Sequence, residues 1–169
     1  MSIPSRHRSV VGTYFVTSRT WESRKLFLTD SFSSVFVDSL LHYRQERAYS
    51  LHAFVLMPDH FHILLTPAPD KTVERVMQYI KGGSARKLAL QHNMRFPVWQ
   101  RGFSDRRIRD AADYITHLQY IWQNPVRKNL VAKAQEFRWS SASGTFAVDQ
   151  PSQGLKPKKE EDAAALRHG

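Results

Sequence analysis

Residues 57–67 read MPDHFHILLTP. His60 and His62 are two apart in an apolar run, so on a strand they point to one face while Phe61, Ile63 and Leu65 point to the other. Two imidazoles side by side against a core cost desolvation and, if both are charged, repulsion. One divalent ion removes both costs, because each neutral ring donates a lone pair to it. A second group of chemically capable residues lies in 110–124, DAADYITHLQYIWQN. At helical spacing Ala111, Tyr114, Ile115, Leu118, Ile121 and Trp122 form one apolar stripe. Tyr120 then points about 160° from Leu118, on the far side with Asp113, His117 and Asn124. A phenol, with its pKa near 10, is a weak nucleophile at neutral pH. A metal-polarised phosphate is a target that it can attack. Asn124 follows Tyr120 by one turn on the same face. Its amide oxygen is placed to join the two imidazoles as a third protein ligand.

Taken singly, each feature has a plainer reading. A His-x-His on a strand is more often an edge or core pair, and a tyrosine on a polar helix face is more often a surface residue. The combination carries the argument, and it requires elements that bring strand 60–67 against helix 110–124. The alternating, aromatic stretch 12–21 reads as a strand. Residues 29–49 read as a helix, with Thr29 or Asp30 as N-cap and Phe32, Val35, Phe36, Leu40 and Leu41 at helical spacing. Strands are expected at 51–58 and 60–67, with Pro58-Asp59 as the turn of a hairpin. A helix is expected over 71–93, with Gly82-Gly83 as a point of breakage or bending. A short strand follows near 103–109, then the helix 110–124 closed by Pro125. Residues 126–142 read as a helical turn and a packing segment around Phe137 and Trp139. This order gives an α+β, ferredoxin-like β-α-β-β-α-β sheet with an added helix carrying Tyr120. One domain is expected over 1–146. The rest, 147–169, loses aromatics and periodicity and reads as a flexible tail, with a fraying helix at its end.

The 169 residues contain no cysteine, which excludes disulfides, zinc–thiolate sites and cysteine nucleophiles. No window approaches the length of a membrane span, so the expected location is the cytoplasm, with the nucleoid. The net charge is +10, and residues 71–109 hold ten Lys or Arg against Glu74 and Asp105 alone. A basic stripe of this kind suits a polyanion, most often nucleic acid. Lys81, Arg86, Lys87, Arg101, Arg106, Arg107 and Arg109 are the expected phosphate contacts. Tyr14, Phe15 and Trp99 are candidate platforms for base stacking, each with a core role as the alternative.

The segments MPDHFHILL, VWQRGFSDRRIRD, YITHLQYIWQNPVRKNLV and FRWSSA, in this order, resemble the REP-associated tyrosine transposases. These are single-tyrosine members of the HUH group, named for its His–hydrophobic–His motif. The resemblance covers roughly residues 8–145. It implies that His60, His62 and Asn124 hold Mg²⁺ or Mn²⁺ and that Tyr120 is the nucleophile. It implies a substrate of single-stranded DNA beside a palindromic REP-type hairpin, cleaved and rejoined through a 5′-phosphotyrosine with release of a 3′-OH. Monomers and homodimers both occur among such proteins. One departure stands out: where relatives often carry an aromatic, an acid and a His before "IR", this chain has Ser104-Asp105-Arg106-Arg107, which would strengthen phosphate binding. His117 and Asp113 are read as supporting groups that tune the phenol or a phosphate. The competing readings are a non-catalytic nucleic-acid-binding domain derived from a transposase, and a metal phosphodiesterase that uses water and leaves no DNA on the protein.

Overall fold

Alternating apolar and polar residues carry the chain into its first strand, and the same period recurs wherever one face must be buried. The structure, a computed structural model, describes residues 11–156. Its elements are β1 (Tyr14–Arg19), α1 (Asp30–Gln45), β2 (Tyr49–Met57), β3 (His60–Pro67), α2 (Val73–His92), β4 (Ser104–Arg107) and α3 (Ala111–Arg127). The strands form one antiparallel sheet in the order β2-β3-β1-β4. This is the expected β-α-β-β-α-β order with an added helix.

Side-chain alternation assigns the two sheet faces. Val16, Phe61, Ile63 and Leu65 enter the main core with α1 and α2, where Phe36, Phe61 and Trp99 pack ring against ring. Ala53, Val55, Met57 and Leu64 face the other way and bury Tyr114, Ile115 and Ile121 of α3. Each fully buried apolar side chain contributes about 1.5–3 kcal/mol, so register is fixed from both sides: a slip by one residue would exchange the two sets. The α3 layer covers β2 and β3, and it is this second layer that brings Tyr120 to the histidines.

Helix α2 runs without interruption through Gly82-Gly83, contrary to the expected break. The glycine at 83 serves packing instead. A Cβ there would collide with the ring and hydroxyl of Tyr43 on α1, and Tyr43 is itself stacked on Tyr79. At Gly82 a Cβ would meet no atom of the described residues within 4 Å. Gly82→Ala is therefore expected to stabilise the chain by roughly 0.5–1 kcal/mol. Gly83→Val is expected to destabilise it by about 1–3 kcal/mol through overpacking. Urea melts of the two variants check this, and equal effects would contradict the assigned contact.

Helix α3 also departs from expectation, because Pro125 lies inside it rather than at its end. Proline removes one backbone donor and strains the preceding turn. Burial of Ile121, Asn124 and Pro125 against the sheet side holds the helix together, and the last turn closes with Lys128 N–H donating to the Asn124 carbonyl and Leu130 N–H to that of Pro125. The continuation carries Arg127 as a helical residue. The helix start is as the sequence suggests: the Asp110 side chain accepts from Asp113 N–H at 2.8 Å.

The free edge of β2 is covered by the segment that follows α3. Leu56 N–H donates to the Trp139 carbonyl, Val55 bridges Ser140, and Ser141 Oγ accepts from Phe54 N–H and from the Trp122 indole. The coverage runs past the expected boundary at 146. Asp149 takes a two-pronged ion pair from Arg44 at 2.8 and 2.9 Å and accepts from Leu51 N–H, and its carbonyl meets the buried His52 ring. The described part of the expected tail is thus docked at least as far as Asp149, while the expected fraying helix lies outside the described residues. No helix among the described residues is long and apolar enough to cross a membrane.

Candidate active site

The β2–β3 hairpin turns on Pro58-Asp59, pairing Met57 with His60. The turn is pinned from outside by Phe27 N–H on the Pro58 carbonyl and Thr20 N–H on the Asp59 carbonyl. β3 then presents His60 and His62 on the α3 side, both buried, with ring centroids 4.8 Å apart. The Tyr120 ring stands edge-on to His62 at 5.3 Å. Phe15 of β1 stacks on His62 at 5.4 Å and also touches His117 and Tyr120, at 4.8 and 5.8 Å. Strand β3 and helix α3 therefore bring the paired imidazoles and the phenol into one cleft. Tyr120 is 36% exposed, so a substrate can reach it.

Each imidazole is held by its Nδ1. Asp59 Oδ1 lies 2.6 Å from His60 Nδ1, and Thr17 Oγ1, directly across β1, lies 2.6 Å from His62 Nδ1. The Asp59 carboxylate accepts from His60 Nδ1 and leaves Nε2 of that ring as the lone-pair donor, and the Thr17 hydroxyl anchors His62 through Nδ1, the kind of contact that orients metal-binding histidines. Burial pushes both imidazoles below the ordinary value; for His60 the Asp59 carboxylate opposes this. For His62 the neighbouring His60 and Arg19 add to it and bring the pKa to about 3. Both rings are neutral at pH 7, the form a metal requires. Asn124 is buried one turn after Tyr120, and its Oδ1 is an acceptor with no hydrogen-bond partner among the described residues. Buried polar atoms without partners are few in native structures; the Ser18 hydroxyl is the other side-chain case among the described residues. Among the described residues there is no group of three or more His, Cys, Asp or Glu side chains able to hold a metal. Two neutral imidazoles on β3 and a buried amide oxygen on α3 are donors of the kind a divalent ion takes.

The buried histidines also make the fold acid-sensitive. His52 is likewise lowered, chiefly by burial. In the unfolded chain these rings take up protons as pH falls through about 6.5, whereas the folded chain resists protonation, so the unfolded state binds more protons and stability falls with acid. Their contribution is fully present above pH 6.5 and is lost between there and the lowered folded values. The slope is at most about 1.4 kcal/mol per pH unit for each group. The metal-free chain should therefore show a lower urea midpoint at pH 5 than at pH 7.5, and a flat profile would contradict the neutral assignment.

Asp113 and His117 lie beside this cleft. Asp113 is buried and accepts from Arg109 N–H at 3.0 Å. Burial opposes its ionisation, but that bond, His117 and the Arg109 guanidinium hold its carboxyl below the usual range. His117 Nδ1 sits 2.8 Å from the Asp113 carbonyl oxygen and 3.3 Å from its carboxylate, which fixes the ring against Phe15.

The seven expected phosphate contacts do not form one surface. Arg106 pairs across the sheet with Phe15, on the cleft face, and approaches Asp113 at 4.0 Å; Arg109 reaches the same carboxylate at 3.5 Å. Arg107 pairs with Tyr14 on the opposite face and donates to the Val11 carbonyl. Arg101 is exposed in the turn before β4. Lys81, Arg86 and Lys87 belong to α2, in the layer across the sheet from α3. Lys81 is committed within the fold: its ammonium donates to the carbonyls of Gln100 and Gly102, and burial lowers its pKa. Of the stacking candidates, Tyr14 and Trp99 are core residues, and Phe15 lines the cleft. Residues that the sequence reading did not single out complete the site: Thr17 and Asp59 on the imidazoles, Arg19 beside Asp59 at 3.8 Å, and Arg127 over the Tyr120 ring at 5.5 Å. A surface cleft of about 580 Å³, lined by Arg44, Tyr49, Thr66 and Asp149, lies at the other end of the sheet and contains none of them.

Residues 13–124 match the model of a family described as "Transposase IS200 like". The chain is 31% identical over 143 residues to a Haemophilus influenzae protein provisionally described as a REP-associated tyrosine transposase, covering 77% of this chain and 79% of that one. It is 26% identical over 144 residues to the REP-associated tyrosine transposase of Escherichia coli, covering 82% and 84%. In structure it is similar to a REP-associated tyrosine transposase solved bound to a REP hairpin, with a TM-score of 0.68, 23% identity, and coverage of 94% of this chain and 96% of that one.

Proposed function

The chain belongs to the IS200-like transposases, and from that membership and the cleft geometry we propose that it is a metal-dependent tyrosine transposase. It cleaves and rejoins single-stranded DNA beside a REP-type hairpin. The observation that carries this reading is the Tyr120 ring 5.3 Å from His62, beside paired imidazoles anchored through Nδ1, with a buried amide oxygen one helical turn on that lacks a partner among the described residues. His60, His62 and Asn124 would hold Mg²⁺ or Mn²⁺. When bound, the ion supplies Lewis-acid polarisation of the scissile phosphate and stabilises its developing charge.

The chain's own residues do the rest. Asp59 and Thr17 fix the two rings, and Phe15 walls the cleft and sets the approach of Tyr120. The Tyr120 oxygen attacks phosphorus in line. A bond forms between that oxygen and phosphorus, the bond from phosphorus to the 3′ oxygen breaks, and the phenolic proton ends on the released 3′-OH. The 5′ phosphate stays on the protein as a phosphotyrosine ester. Attack by a 3′-OH on that ester reverses the bond changes and rejoins DNA without hydrolysis. Arg106 and Arg109 on the cleft side hold flanking phosphates. The test is incubation with hairpin DNA and Mg²⁺, followed by denaturing electrophoresis and intact mass spectrometry. A protein-linked strand supports the reading; cleavage that leaves no DNA on the protein would instead mark a water-using phosphodiesterase.

A further inference from the structure

We propose that Arg127 and Arg19 form a clamp on the non-bridging oxygens of the scissile phosphodiester, Arg127 from beside the Tyr120 ring and Arg19 from beside His60. The inference rests on the strand-cleavage reading above and adds the groups that grip the reacting phosphate. Arg127 is exposed and lies one turn beyond Gln123, in the part of α3 that continues past Pro125. Its guanidinium sits 5.5 Å from the centroid of the Tyr120 ring. Among the described residues no acidic side chain pairs with it. Arg19 pairs directly with His60 across β1 and β3. Its contact with Asp59 is loose, at 3.8 Å, because that carboxylate is already held at 2.6 Å by His60. Arg19 is about half exposed, at 52%.

Successive contacts link the two arginines through the site: Arg19 beside Asp59 and His60, His60 against His62, His62 against Tyr120, and Tyr120 under Arg127. Arg127 lies over the ring of the proposed nucleophile and Arg19 beside the first imidazole, and both guanidinium groups are open to solvent and so to a phosphate. The guanidinium fork suits phosphate oxygens, and it also packs on an aromatic face. A solvated arginine at a helix C-terminus would be stabilised by the helix dipole alone, but that does not require it to lie over the nucleophile's ring. Neither arginine stands in the basic stretch 71–109, so a search by charge density passes over both.

The experiment uses the full chain carrying Tyr120→Phe, which keeps the ring but cannot form the ester. A hairpin oligonucleotide with a single-stranded flank is made with a neutral methylphosphonate at one linkage at a time, and Kd is measured with Mg²⁺ present. One linkage is expected at which charge removal weakens binding by about tenfold, or about 1.4 kcal/mol. Adding Arg127→Ala, or Arg19→Ala, should reduce that penalty at the same linkage to below about twofold, with an unchanged melting temperature. Arg127→Lys should restore part of it, since the charge returns without the fork. In the chain with Tyr120 intact, this linkage should be the one cleaved. If no linkage depends on Arg127, or the two arginines map to different linkages, the clamp is overturned even if the covalent adduct forms. If the adduct does not form while one linkage still depends on both arginines, the strand-cleavage reading fails and the phosphate grip stands. Absence of any binding to the hairpin overturns both.

Discussion

Tyr120→Phe should bind hairpin DNA within about twofold of the parent and form no covalent adduct. The substitution removes one oxygen from a ring that keeps its packing against Phe15 and His62, since these are contacts of the ring itself. Among the described residues no hydrogen bond depends on that hydroxyl, so stability should change by less than about 0.5 kcal/mol. The chemical step should fall by at least about 10⁴-fold, because a nucleophile cannot be replaced by its positioning partners. The measurement is single-turnover cleavage of labelled hairpin DNA with Mg²⁺, run beside a binding titration and a melt. Continued strand cleavage at the same position by the phenylalanine variant would remove Tyr120 from the reaction. Loss of binding and cleavage together would mean that the ring, not the oxygen, had been lost.

Much of the site was legible because its parts obey local periods. The two-residue spacing of His60 and His62 placed both on one sheet face, and the 100° helical period put Tyr120 off the stripe that buries Ile115 and Ile121. The polar side of α3 proved less simple. Asp113 and Asn124 share it by angle yet are buried, because a helix lying across a sheet is covered over more than its apolar stripe. Thr17 and Arg19 were invisible for a different reason. Their meeting with His62 and His60 is set by the register of β1 on β3, a non-local quantity with no trace in either segment alone. Charge density misled in the same way. Arg106 and Arg107 are neighbours in sequence, but strand alternation sends them to opposite faces. Lys81 is spent on two carbonyls of the turn before β4. Pro125 reads as a helix stop by propensity, whereas burial of the turn around it outweighs the lost hydrogen bond. The same continuation holds Arg127 over the Tyr120 ring.

Asn124→Leu should separate stability from activity, and in opposite directions. Asn124 is 3% exposed and its Oδ1 has no partner among the described residues. Leaving such an acceptor buried costs about 1–3 kcal/mol. Leucine has a similar volume and removes that cost, so the metal-free chain should gain about 1 kcal/mol, or roughly 2–4 °C in melting temperature. A gain of this size from removing a buried polar group is the mark of a position kept for function at the expense of the fold. The same substitution takes away the amide donor that would complete the ligand set with His60 and His62. Mg²⁺-dependent adduct formation should fall by about 10²-fold or more, an interaction of roughly 2.7 kcal/mol in the transition state. The added stabilisation of the parent by Mg²⁺ or Mn²⁺ should shrink or vanish in the variant, because ligand-linked stability follows affinity. Paired thermal melts with chelator and with metal, set beside single-turnover cleavage, read all three quantities. The expected pattern is a variant more stable than the parent in chelator, less responsive to metal, and nearly inert toward DNA. A variant that melts lower in chelator would show that the buried amide supports the fold. One that keeps the full metal response would show that the two imidazoles find their third donor elsewhere.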